Sequence, residues 1–128
     1  MKRVNDNSKQ VLDKLWELAT QNDGHCKLNN DPTYMPLSIE IIEPTAISLC
    51  HYGEQNGDLM RDPEMLFWKD ETGNYFPFYF RNDYVGHEDI LGETVNGKLE
   101  LSNVKGQADL IELADIWMQN IEYQQFGK

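Results

Sequence analysis

Oxygen-bearing side chains crowd one stretch of this chain, His51-Tyr-Gly-Glu-Gln-Asn-Gly-Asp-Leu-Met-Arg-Asp-Pro-Glu-Met65. Glu54, Asn56, Asp58, Asp62 and Glu64 are the ligand types that a hard cation takes from a flexible loop. Their spacing lacks the alternating donors, central glycine and terminal glutamate of an EF-hand. The competing use of such aspartates is to cap turns while the other carboxylates face water. Paired carboxylates also hydrolyse glycosides, but acidic residues are spread along the whole chain and no pair is singled out. His25-Cys26 and Cys50-His51 are ligand types that suit zinc. Neighbours on a strand point to opposite faces, so each dipeptide offers one ligand to a given side, and no C-x-x-C spacing occurs. A thiol at Cys50, between Leu49 and His51 on a core strand, is expected to be inert. The sequence contains no glycine-rich phosphate loop, no G-x-S-x-G elbow and no H-E-x-x-H motif. These residues name no catalytic group, no metal and no cofactor, and a non-enzymatic reading leads.

The elements around this stretch follow from hydrophobic period and turn chemistry. A run from Ile47 to Tyr52 enters it and one from Met65 to Trp68 leaves it. With Gly53 and Gly57 for backbone freedom and Pro63 for a fixed φ, it reads as a long polar loop joining two buried strands. Upstream, Val11, Leu12, Leu15, Trp16, Leu18 and Ala19 recur at helical spacing and predict a helix from Ser8 to Gln21. Ser8 is the expected N-cap, with Asp6 and Asn7 as competitors, and Asp23-Gly24 ends the helix. His25 to Leu28 reads as a short edge strand, and Leu37 to Glu43 as a half-buried one with Leu37, Ile39 and Ile41 on one face. Ile47, Leu49 and His51 share a face of the next strand. Tyr75 to Phe80 reads as an aromatic strand in which Pro77 marks an edge or a bulge. Arg81 to Gly97 reads as irregular. Asn96-Gly97 is a hairpin turn between Glu93–Val95 and Lys98–Leu101. Leu110, Ile111, Leu113, Ala114, Trp117 and Ile121 predict a final helix from Lys105 to Gln124, capped by Ser102 or Asn103.

Strands without intervening helices imply an antiparallel meander, and helices confined to the ends imply an α+β fold with both helices on one sheet face. Residues 1–128 read as one domain. The other face, carrying Tyr75, Tyr79, Tyr52 and Trp68, is expected to be partly open, a candidate contact surface.

Charge restricts the partners. The chain has 22 acidic residues against 11 basic ones, a net charge of −11. That balance repels phosphate backbones, so direct nucleic-acid binding is disfavoured and a protein partner with a basic face is favoured. No signal-peptide h-region follows Met1-Lys-Arg3 and no apolar run reaches transmembrane length. The expectation is a cytoplasmic protein without membrane contact, whose two cysteines, Cys26 and Cys50, are reduced.

The His51–Met65 stretch resembles the H-Y-x-E-Q-N-G-D-L-M-x-D-P-E-M signature of an uncharacterised domain family. That family is carried by conjugative elements, plasmids and phages of Firmicutes and Bacteroidetes. The aromatic strand Tyr75–Phe80 and the final amphipathic helix are similar as well, so the resemblance covers the chain from about Leu37 onward. It implies a mobile-element setting and no activity. The resulting expectation is an accessory domain that binds a protein partner through Tyr52, Glu54, Asn56, Asp58, Asp62 and Glu64. Two alternatives stand beside it: a small metal-dependent enzyme, and an acidic DNA mimic that inhibits a nuclease. Mimicry would draw on Asp13 and Glu17 of the first helix and on an acidic stripe of Asp109, Glu112, Asp115 and Glu122 on the last.

Overall fold

The computed structural model of the protein describes residues 1–127. Helix α1 spans Asp6–Gln21 and helix α2 spans Val104–Phe126. Between them run β1 (His25–Leu28), β2 (Leu37–Glu43), β3 (Ala46–Gln55), β4 (Asp58–Lys69), β5 (Tyr75–Asn82), β6 (His87–Ile90), β7 (Gly92–Val95) and β8 (Lys98–Leu101). The first six form one antiparallel sheet in sequence order, and β7–β8 is a separate hairpin. This is the expected α+β meander with helices at its ends.

Side-chain alternation divides the core between the two sheet faces. Ile39, Ile47, Leu49, Met65, Phe67 and Tyr75 pack beneath both helices, against Leu12 and Leu15 of α1 and Ala114 and Met118 of α2. Each such buried aliphatic or aromatic side chain contributes about 1.5–3 kcal/mol. On the opposite face Ala46, Phe76 and Phe78 form a second cluster with Leu99 of β8, joined by Leu66, Trp68, Tyr79 and Leu101. The Trp68 indole Nε1–H donates to the Gly97 carbonyl at 2.9 Å, pinning the β7–β8 turn to the sheet. The expected open aromatic face is therefore corrected. Tyr75 lies under the helices, fully buried, and Trp68 and Tyr79 pack in the cluster under β7–β8. Tyr52 alone of the four is exposed.

For Tyr75 the cause is a bulge, and for Trp68 and Tyr79 it is the β7–β8 hairpin laid over them. Leu66 pairs with Tyr79 and Phe67 with Pro77, so Phe78 is the extra residue, and strict alternation fails along β5. Pro77 sits next to it, where β6 has not yet begun to pair, which is where a residue without an N–H is tolerated.

The helix ends also differ in part from expectation. Asn5 caps α1, its side chain accepting from the Ser8 N–H at 2.8 Å. Ser8 is instead fully buried, and its hydroxyl donates to Asp115 of α2 at 2.7 Å. Asn103 caps α2 by accepting from the Gly106 N–H at 2.8 Å. Leu113, expected on the apolar face of α2, is 42% exposed, and the buried side includes Gln107, Met118 and Gln125. The two glutamines bind backbone far away in sequence: Gln107 donates to the Lys2 carbonyl and Gln125 accepts from the Asn30 N–H. No helix among the described residues is long and apolar enough to cross a membrane.

Candidate interaction site

The expected loop is a β-hairpin. Asn56 and Gly57 have φ of +54° and +86°, the two consecutive left-handed residues of a type I′ turn. They join Gln55 to Asp58 directly. A bulge at Asp62-Pro63, whose peptide bond is cis, interrupts the β3–β4 ladder.

This hairpin outruns its neighbours. β2 stops pairing with β3 at His51, and β5 stops pairing with β4 at Glu64. Residues 52–61 therefore project from the sheet as a two-stranded arm. An isolated two-stranded ribbon is marginal in water, and the β5–β6 turn braces this one. Asp83 N–H donates to the Arg61 carbonyl at 2.9 Å, while the Asp83 carboxylate accepts from the Arg61 N–H at 2.8 Å and from Arg61 Nε at 3.0 Å. Its other oxygen accepts from Arg81 Nε at 2.7 Å. The Arg61 N–H and the Arg81 guanidinium hold the Asp83 carboxyl well below the usual carboxylate range, with Arg61 Nε adding to them. Arg81 reaches on to Glu88 and Arg61 to Glu64, so two arginines and three carboxylates form one network at the root of the arm.

Tyr84 supplies the second brace. Its hydroxyl lies against Gly53 and donates to the Glu54 carbonyl at 3.4 Å. A Cβ at position 53 would stand 2.3 Å from that hydroxyl. Glycine thus lets the Tyr84 hydroxyl approach the backbone, and any larger residue there would push the ring aside.

The sequence-derived candidates fall into two groups. Tyr52 and Glu54 share one face of the arm, with Leu59 opposite Glu54, and Asp58 flanks the turn. These side chains are exposed, Leu59 by 71%. Asn56 acts through its backbone in the turn. Asp62 and Glu64 are committed internally: Asp62 accepts from Asn82 Nδ2 at 3.0 Å, and Glu64 accepts from Ser48 Oγ at 3.1 Å and pairs with Arg61 at 3.6 Å. Leu59, Arg61, Asp83 and Tyr84 were not legible as site residues, although Leu59 is an aliphatic residue set among acids.

No group of three or more His, Cys, Asp or Glu side chains able to hold a metal occurs among the described residues. The two His–Cys dipeptides lie on β1 and β3 with β2 between them. Cys50 is buried, and desolvation, with Glu64 beside it, pushes its thiol up to about 12, far from thiolate chemistry. Two of the helix acids are committed internally. Asp115 accepts from the Asn5 N–H and the Ser8 hydroxyl, and Asp13 accepts from the Tyr75 hydroxyl and pairs with Lys9.

No curated protein and no solved structure matches the chain. The family model of DUF6908, a domain of unknown function, matches residues 6–127. The chain belongs to the DUF6908 family.

Proposed function

We propose that this domain is a protein-interaction module, an accessory of a mobile genetic element, that engages a basic-faced protein through the β3–β4 arm. The observation that carries it is the braced projection of residues 52–61, which holds Tyr52 and Leu59 in water beside Glu54 and Asp58. Tyrosine is enriched among the residues that anchor interfaces, and on a preorganised ridge it and the apolar Leu59 lose little entropy on binding. Acidic neighbours steer a basic partner toward them, and the net charge of −11 adds a long-range component. The same charge argues against a nucleic-acid partner. The mobile-element setting rests on the resemblance of the His51–Met65 stretch.

Affinity capture from the native host, with wild type and a Tyr52→Ser/Leu59→Ser variant side by side, tests the reading. A protein retained by wild type and lost by the variant supports it. Identical captured sets, or a divalent cation that raises the melting temperature of wild type alone, would count against it.

A further inference from the structure

A second surface lies on the helix side of the sheet and is independent of the arm. Six strands at about 4.8 Å spacing span about 24 Å between outer strand axes, whereas two helices packed side by side are 8–10 Å apart. Two helices therefore leave one edge of this sheet bare. α1 sits over β1 and β2, and α2 packs against α1 and over β5, so the uncovered edge is that of β6. There a continuous groove runs along α2 from Gly106 to Asn120, made of adjoining hollows of about 380 and 250 Å³ that share Phe80 and Leu113. At 1.5 Å per residue the groove is about 20 Å long.

Its chemistry is specific. Phe80, Leu113, Ile116 and Trp117 make the floor and one wall, with Leu113 and Ile116 42% and 50% exposed although both lie on a helix that is otherwise buried on its core side. Trp117 is itself buried, and its indole Nε1–H is a buried donor with no acceptor. Asp89 on β6 and Asp109 on α2 line the larger of the two hollows, beside Phe80 and Leu113. Among the described residues their charged or imidazole partners are exposed ones on their own elements, His87 Nε2 at 2.9 Å from Asp89 and Lys105 at 3.4 Å from Asp109, and exposed pairs are worth little.

We infer that this groove binds an amphipathic helix of a partner, with aliphatic residues on Phe80, Leu113 and Ile116 and Lys or Arg toward Asp89 and Asp109. The occupant completes the helical layer as a third helix beside α2. A second copy of this chain is disfavoured as occupant, since it brings another −11 to an acidic rim.

The test uses a synthetic 14-residue leucine/lysine helix and its leucine/glutamate counterpart as probes, followed by NMR on the whole chain. The expected result is saturable binding of the lysine peptide with shifts at Leu113, Ile116 and the Trp117 indole N–H. Ile116→Asp should weaken it at least tenfold although the variant is more acidic, Asp109→Asn should weaken it and flatten its salt dependence, and Leu59→Asp on the arm should leave it unchanged. The inference is overturned if the lysine peptide fails to bind, if Ile116→Asp binds it as tightly as wild type, if the glutamate peptide binds equally, or if sedimentation shows the face closed by a second copy.

Discussion

Removing the Asp115 carboxylate should destabilise the protein, which is not what a solvated acidic stripe would do. Asp115 Oδ1 accepts from the Asn5 N–H at 3.0 Å and the Ser8 hydroxyl at 2.7 Å, fastening the start of α1 to the middle of α2. Ser8 is fully buried, so Asp115→Ala strands its hydroxyl at a cost of about 1–3 kcal/mol. Asn5 lies at the surface, where water replaces the lost acceptor at small cost. The net loss is about 2 kcal/mol, or roughly 7 °C in melting temperature for a chain of this size. Glu112→Ala, at an exposed position of the same helix, is the control. In a chain at −11, deleting a free carboxylate is neutral or mildly stabilising, within about 0.5 kcal/mol. Urea unfolding of both variants, with Ser8→Ala and the Ser8→Ala/Asp115→Ala pair completing a cycle, reads the coupling directly, and at least 1 kcal/mol is expected. If Asp115→Ala behaves like Glu112→Ala, the fastening does not exist and the stripe is solvent-facing after all.

Two further predictions follow from buried titratable groups. His51 donates from Nδ1 to the Pro36 carbonyl at 3.0 Å, and burial lowers its pKa. The unfolded chain then takes up the proton first as pH falls, so stability contributed by the neutral ring is present above about pH 6.5 and is lost below it, by up to about 1.4 kcal/mol per pH unit until the folded ring also titrates. Stability measured by urea unfolding between pH 7 and pH 5 should fall more steeply for wild type than for His51→Gln, and parallel curves would contradict this. Cys50, buried with its thiol pushed up to about 12, should resist a thiol reagent in the native state while the half-buried Cys26 reacts first; equal rates under native conditions would show that β3 opens locally.

The fold was largely legible because buried elements carry period. The helices, β2 and the inner half of β3 each put one apolar face on the core, and that face is visible as spacing. The arm was not legible for the same reason. Residues 52–61 leave the sheet, both their faces meet polar surroundings, and without burial there is no alternation to read. Their polarity and Pro63 looked like a loop, although Asn56-Gly57 is the same hairpin dipeptide that correctly located the β7–β8 turn at Asn96-Gly97. β6, with the sequence His-Glu-Asp-Ile, is a polar edge strand and escaped for that reason too. The aromatic strand shows a different limit: its residues were placed in a strand, but the bulge at Phe78 reassigns their faces, and a bulge has no compositional sign there. Of the residues proposed for contact, Tyr52, Glu54 and Asp58 could be offered from local chemistry, whereas Asp83 and Tyr84, which brace the arm, come from a turn more than twenty residues away that only the tertiary fold brings to it.

The arm as the contact surface is tested most directly by placing a photo-crosslinking amino acid at Leu59, and in a second preparation at Glu40, exposed on β2 outside the arm. Irradiation in the native host should give a discrete adduct with one protein from position 59, none from position 40, and the adducted peptide should be rich in lysine or arginine. No adduct at position 59, or one with nucleic acid instead of protein, would contradict the account.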